Sequence, residues 1–280
     1  MEAGTQTETE RTAGRARAGT GWGRFLTAEI LYPAAAIALL LTVWQLTVVV
    51  LDLRPTFLPS PATAFSKVFR SYDTFVTHAP VTIFEIVGGY ALSIVLGVAT
   101  AFVMVWSRVM EKIVSPILVF LQTIPYISVA PLLIIWFGFN IAPKIVVSFL
   151  MSYFPIVVAT AAGMNAVEND MIDMVRSMSA SKWQVFWKSR FPNSLPYFFS
   201  GAKIAVAFAT SGAIVGEYVG ADYGLGYLIV LSNSDTNSEL LFATIIVVSA
   251  IGVGFFWLIH WIEKLCIPWH VAFRQEEGRG

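Results

Sequence analysis

Residues 82–106 read TIFEIVGGYALSIVLGVATAFVMVW, a run that holds one acid, Glu85, and no base. At 1.5 Å per residue such a run, coiled as a helix, spans more than the ~30 Å hydrocarbon core of a bilayer. In lipid the backbone can satisfy its N–H and C=O groups only within a helix or a closed barrel. Five further apolar runs follow the same rule: Ile30–Leu51, Ile113–Phe137, Pro143–Gly163, about Ser200–Val219, and Leu240–Leu265. The sequence thus predicts an all-α polytopic membrane protein with six transmembrane helices.

Composition agrees with the runs. The 280 residues are 56% hydrophobic and 13% charged, against about 25% charged in soluble domains, and the mean hydropathy is +0.70. A formal net charge of zero leaves no basic surface for nucleic acid. So few charges also exclude a mainly disordered chain. One cysteine excludes an intramolecular disulfide and a cysteine-built metal site. His78, His260 and His270 show no metal-ligand spacing, so no metal or cofactor is expected in this chain. Residues 1–21 are polar and are expected to form a disordered tail, not a signal peptide, because the apolar run starts too late and runs too long. Residues 22–270 form the transmembrane domain, and 271–280 a second tail.

Lysine and arginine set the orientation. With the N-terminus inside, fourteen of them fall on the cytoplasmic side, and Arg54, Lys67, Arg70 and Lys144 fall outside. Cytoplasmic excess of this kind is the positive-inside rule, and both termini are expected in the cytoplasm. Outside, Pro61 opens a short helix over about Ala62–Tyr72. The outer segment 220–239 carries Leu225-Gly226-Tyr227-Leu228-Ile229-Val230, which either dips into the membrane edge as a half-helix or forms a packed loop.

The inner loop, 164–199, is the most informative. Met171, Ile172, Met174, Val175 and Met178 share an apolar face at helical spacing. Ser179-Ala180-Ser181 makes a small-residue elbow. A second helix is expected from Lys182 to Phe191, with Trp183, Phe186 and Trp187 on one side and Pro192 as its stop. Either the apolar faces pack on the protein's own membrane helices, or a partner covers one of them, and methionines adapt well to an uneven partner groove.

This loop resembles the "EAA" loop of permease subunits of binding-protein-dependent ABC importers. Asp173, Met174 and Val175 stand at the Glu-Ala-Ala positions, Ser179 at the glycine and Pro192 at the proline. An acid is kept and the alanines and glycine are not. Other segments resemble the branch that imports nitrate, taurine, alkanesulfonates, bicarbonate, or pyrimidine and flavin vitamins and precursors. They are Leu58-Pro59-Ser60-Pro61, Gln122-Thr123-Ile124-Pro125, Ala130-Pro131-Leu132-Leu133-Ile134-Ile135-Trp136-Phe137-Gly138, Gly216-Glu217-Tyr218-Val219-Gly220 and Gly224-Leu225-Gly226-Tyr227-Leu228. The likeness covers about residues 30–270. It implies a type I importer permease fold in the bacterial cytoplasmic (inner) membrane. It implies a second permease copy, two cytoplasmic ATPase subunits docked on the loops, and a periplasmic or lipid-anchored solute-binding protein. ATP and magnesium belong to the ATPase partner, since this chain lacks a Gly-rich phosphate loop ending in Lys-Ser or Lys-Thr. The resemblance assigns ATPase coupling to Asp173, Met174, Met178, Ser179, Ala180, Ser181, Trp183 and Pro192. On that reading, Asp173→Arg with Ala180→Trp would disturb docking.

Polar groups at membrane depth are costly and mark function or packing. Glu85 and Glu217 lie near the outer ends of their spans, and Lys203 near an inner end, where snorkelling or loop pairing would serve it. Pro116, Pro125 and Pro131 can each bend the third span. Gln122, Tyr126, Thr210, Ser211 and Glu217 are the candidate translocation-path residues, with close helix packing the alternative for each. A secondary transporter or channel is the competing reading, and a membrane enzyme a third. No nucleophile–base pair is evident, so the chain is read as a transport subunit and not an enzyme.

Overall fold

The computed structural model describes residues 21–268, and the expected tails at 1–21 and 271–280 fall outside them save for Gly21. The chain divides into two compact units, one ending at Thr63 and one starting at Ala64.

The first unit carries α1, Gly21–Val50. The Thr42 and Thr47 hydroxyls donate back to the carbonyls of Ala38 and Val43 at 2.7 and 2.8 Å. After the helix, the Trp44 indole donates to the Pro59 carbonyl at 3.1 Å and fixes the turn that precedes α2. Helix α2, Pro61–Arg70, begins at the proline as expected, and the Ser60 hydroxyl accepts from the Thr63 N–H at 3.2 Å.

The second unit is built on three long helices: α3, Tyr72–Trp106; α6, Ala142–Asn165; and α9, Phe191–Gly220. Helix α6 lies between the other two. Lipid tails supply no hydrophobic drive between helices, so close contact of small residues must hold them. Ser148 of α6 sits where this is tightest. A Cβ on Gly212 of α9 would fall 2.6 Å from the Ser148 Cα, and one on Gly89 of α3 would fall 2.7 Å from the Phe149 nitrogen. The Ser148 hydroxyl donates to the Ala209 carbonyl at 3.0 Å. Ser93 and Ser152 bond each other one turn on, and the Tyr90 hydroxyl reaches the Ala202 carbonyl at 3.1 Å. Around these contacts Ile86, Ile156, Phe199, Ala205, Val206 and Ala213 form the buried core.

Shorter elements complete the unit. Ser107 caps α4, Arg108–Thr123, by accepting from the Met110 N–H. Helix α5 is Tyr126–Phe137. The two are bent by 97° at the break between them, so the expected single span Ile113–Phe137 is two arms. The cause is local: Pro125 lacks an N–H and forces Ile124 into extended backbone, φ −71° and ψ 128°. The Tyr126 hydroxyl donates to the Leu121 carbonyl at 2.9 Å across the bend. Pro116 and Pro131 lie inside continuous helix. Five described helices are long and apolar enough to cross a membrane, and a sixth crossing exists only if the bent pair is counted as one.

The loop at 164–199 forms α7, Asn169–Ser177, and α8, Lys182–Val185. A π-helical turn over Phe186–Arg190 then runs straight into α9. Pro192 therefore does not stop the second loop helix. It sits in the first turn of α9, where a missing N–H costs little. The segment 220–239 contains α10, Leu225–Ser234. Its Leu225 and Leu228 pack with Phe75 of α3 and Ala243 of α11, which runs Ser238–Cys266 under an Asn237 cap.

The packing account carries a measurable cost. Gly212→Val should lower stability by about 1–3 kcal/mol in thermal melts of the detergent-purified protein, because α6 and α9 must separate. Gly254→Ala, whose Cβ would meet nothing within 4 Å, should leave the melt unchanged or raise it. Equal melts for Gly212→Val and the parent protein would contradict the close approach at Ser148.

Candidate functional site

Two polar constructions stand at opposite ends of α9. The first is the loop knob before it. Ser179 adopts φ +65°, the left-handed region that glycine enters most easily. Its N–H donates to the Arg176 carbonyl at 2.9 Å, ending α7. Ser181 then starts α8 through a capping box: its hydroxyl accepts from the Gln184 N–H, while its own N–H donates to Gln184 Oε1 at 2.8 Å. Each elbow serine thus has a defined backbone task.

The apolar residues of α7 divide between two faces. Ile172 is buried with Val167 and Val185, and Val175 and Ala180 pack against them. Met171, Met174 and Met178 are exposed by 49%, 59% and 76%, which is high for methionine. The knob therefore has its own small core and an outward methionine face. Ala180 belongs to that core, so Ala180→Trp would break the knob itself. Asp173 is exposed and lies 3.8 Å from Arg176. A run of rings fastens the knob to α3. Phe186 meets Phe102 edge-on with centroids 4.6 Å apart, and Trp183 meets Trp106 at 6.0 Å. Trp183 still leaves 54% of its surface exposed.

The second construction is a buried knot at the far end. Glu217 of α9 is 1% exposed, Glu85 and Thr82 of α3 are 0% and 1%, and Lys144 of α6 is 8%. Glu217 accepts from the Thr82 hydroxyl at 2.6 Å and from the Gly226 N–H. Thr82 in turn accepts from the Leu225 N–H at 2.8 Å, and His78 Nδ1 from the Gly224 N–H at 3.0 Å. Three successive N–H groups at the start of α10 are thereby bonded by side chains of α3 and α9. These are donors that a helix cannot satisfy within itself, and they sit at the positive end of its dipole. Gly224 is required here: φ is +118°, and a Cβ would overlap the Glu217 carboxylate. Glu85 faces Glu217, and neither of its oxygens has a hydrogen bond of good geometry. Lys144 acts electrostatically on both acids.

The candidate path residues do not gather at one place. Thr210 and Ser211 line a cavity of about 320 Å³ with Ile127 and Tyr218. Glu217 is not on that lining; it caps α10. Gln122 is exposed, and Tyr126 is spent on the α4–α5 bend. Lys203 neither snorkels nor pairs with a loop. It donates to Glu263 of α11 at 2.7 Å, an ion pair between spans with side chains 14% and 4% exposed. His260 lies 3.5 Å from the same carboxylate. Among the described residues no group of three or more His, Cys, Asp or Glu side chains is placed to hold a metal.

Comparison with known proteins agrees with this architecture. Residues 93–266 match the family described as "binding-protein-dependent transport system inner membrane component", and the chain belongs to that family. It is 36% identical over 242 residues to the formylaminopyrimidine transport permease protein ThiX of Halalkalibacterium halodurans, covering 86% of this chain and 96% of the relative. It is 29% identical to the riboflavin transport system permease protein RibX of Chloroflexus aurantiacus, covering 84% and 89%. Its fold is similar to a chain of the MetNI methionine ABC transporter, with a TM-score of 0.60 at 17% identity over 71% of this chain and 97% of that one. The chain is thus an ABC-transporter permease subunit for import of a small solute.

The knot is one linked unit, and a double-mutant cycle can show it. Thr82→Val and Glu217→Gln should each lower the melting temperature, and together fall short of additivity by about 0.5–3 kcal/mol. Strict additivity would mean that Thr82 and Glu217 do not share the α10 cap.

Proposed function

We propose that this permease works as a homodimer in the cytoplasmic membrane, with both termini inside, and moves a neutral heteroaromatic solute of the pyrimidine type. A binding protein outside delivers the solute. Two ATPase subunits inside grip the loop knobs, and their movement opens the path alternately to each side. Residues 22–270 serve as the permease domain and 164–199 as its coupling loop.

The observation that carries the coupling role is the two-sided knob. Its inner face is fastened to α3 by rings and to itself by Ile172, Val175 and Val185. Its outer face offers Met171, Met174, Met178 and part of Trp183 to a partner. Methionine and aromatic residues are enriched at protein interfaces, and three exposed methionines, two on α7 and one at its C-cap, have no use in water. The elbow Ser179-Ala180-Ser181 holds that face in shape, Asp173 adds an exposed charge to it, and Pro192 continues the rigid connection into α9.

The solute class is supported by two facts. The 36% identity extends over nearly the whole formylaminopyrimidine permease. In addition, the two lysines of the spans stand near carboxylates: Lys144 feels the charge of Glu85 and Glu217, and Lys203 is ion-paired to Glu263. Burying a sulfonate or nitrate would require a cation to balance it; Lys203 is already paired, and neither lysine lines the 320 Å³ cavity. Around the 320 Å³ cavity, Thr210 and Ser211 donate their hydroxyl protons to the Val206 and Ala207 carbonyls and keep lone pairs that can accept from a neutral heterocycle, beside the Tyr218 hydroxyl.

The test is reconstitution of permease, ATPase and binding protein in vesicles, with uptake of a formylaminopyrimidine and of taurine measured beside ATP hydrolysis. The pyrimidine should be taken up and taurine should not. The paired change Met174→Lys and Met178→Lys should leave stability within about 0.5 kcal/mol, as for exposed sites generally. It should cut both stimulated hydrolysis and uptake by at least about tenfold, since buried interface anchors often exceed 1 kcal/mol each. Normal coupling in the well-folded variant would remove the methionine face from the ATPase contact. Preferential taurine uptake would overturn the solute class alone.

A further inference from the structure

A second cavity, of about 370 Å³, lies between the end of α3 and the knob. Arg108, Arg176, Lys182 and Arg190 line it, over a floor that includes Trp106 and Phe186. These cations come from four places: the start of α4, the end of α7, the start of α8 and the π turn. Helical periodicity on one element cannot explain their convergence. Arg176 and Arg190 both line the cavity, and their like charges repel. Arg176 reaches only the exposed Asp173, at 3.8 Å, and Arg190 donates to Asn165 Oδ1 at 3.2 Å. Among the described residues Arg108 and Lys182 form no ion pair. Four like charges around one cavity repel unless an anion enters.

We infer that this cavity binds the phosphate headgroup of an anionic phospholipid. Its position favours a lipid over a free ion. Trp106 ends the 35-residue apolar helix α3, and tryptophan marks the depth where apolar chain meets headgroups. Close in sequence to the lining residues, Val103, Val109 and Ile113 are 42%, 62% and 49% exposed, apolar surface on which acyl chains can lie. Basic pockets between membrane helices at the cytoplasmic surface suit such headgroups, and the volume falls within the ~300–1,000 Å³ of small-molecule sites. A lipid seated here would touch α3, α4, α7, α8 and the π turn together. It would brace the knob from the membrane side while leaving Met174 and Met178 free. The inference rests on the proposed cytoplasmic placement of the loop, but its test needs neither ATPase nor transport.

The test is native mass spectrometry of the purified full-length permease in detergent, titrated with phosphatidylglycerol or phosphatidylcholine, with and without millimolar inorganic phosphate. Phosphatidylglycerol should bind in preference. The double change Arg108→Gln and Lys182→Gln should weaken it about thirtyfold, at roughly fivefold per cation removed near the membrane surface. Phosphatidylcholine binding should not change. The charge-keeping pair Arg108→Lys and Lys182→Arg should retain the affinity, which separates charge from folding. Equal phosphatidylglycerol affinity in parent and glutamine variant would overturn the inference, as would equal loss in both variants. Complete displacement by inorganic phosphate would assign a free-anion site instead. Loss of the lipid on adding the ATPase subunit would assign the cavity to a protein contact. Failure of reconstituted uptake with lipid binding intact would count against the transport reading alone.

Discussion

Everything in the second unit depends on how closely α6 can approach α3 and α9. At Ser148 the three backbones come together through Gly89 and Gly212, where any side chain would collide. Hydroxyl bonds from Ser148 and between Ser93 and Ser152 replace the hydrophobic force that lipid surroundings do not supply. With that seam fixed, α9 becomes a rigid member. It joins the π turn and α8 in one 39-residue run from Lys182 to Gly220. One end is fastened by rings to α3, and the other carries Glu217 as the cap of α10. Over the 30 residues of α9 alone the separation is about 45 Å. On the proposed mechanism, a pull on the knob therefore arrives at the knot as displacement of a rod rather than bending of a loop.

The knot is suited to register such displacement. Its bonds tie α3, α9 and α10 through charge-assisted and backbone donors, and Glu85 stands beside them with no well-made hydrogen bond. A buried carboxyl in that condition is costly, and it costs less in any arrangement that gives it a donor. A shift of α9 would change which donors reach the two acids. The Lys203–Glu263 pair ties the middle of α9 to α11, so polar contacts hold α9 to other helices at mid-length as well as at the knot.

Much of this architecture could be read from the chain. Apolar runs of membrane length allow only helices, so their positions followed from hydropathy, with ends displaced by several residues. The break at Pro125 was one of three expected sites. Pro116 and Pro131 stay within helix, and Pro125 does not because extended Ile124 precedes it. In sequence the serines of the elbow stand out only as small residues; the structure gives Ser179 the left-handed turn and Ser181 the cap. In sequence Pro192 marks a helix stop, because proline removes a donor that a helix interior needs, and periodicity does not reveal a π turn that shifts register just before it. Glu217 was legible as an acid at the edge of a span. Its task was not, because its partner Thr82 lies 135 residues away. The same holds for Lys203 and Glu263, 60 apart. The four-cation cavity had no signal in spacing, since its residues come from separate elements.

The central claim is that this chain moves solute only when an ATPase drives it through the loop knob. The most direct measurement is uptake into vesicles holding the purified permease alone, set against vesicles that also hold the ATPase and binding protein, with and without ATP. The account expects no uptake by the permease alone under an imposed solute or ion gradient, and accumulation against the gradient only in the complete assembly with ATP. Gradient-driven uptake by the permease alone, unaffected by ATP, would contradict it and identify a secondary transporter or channel.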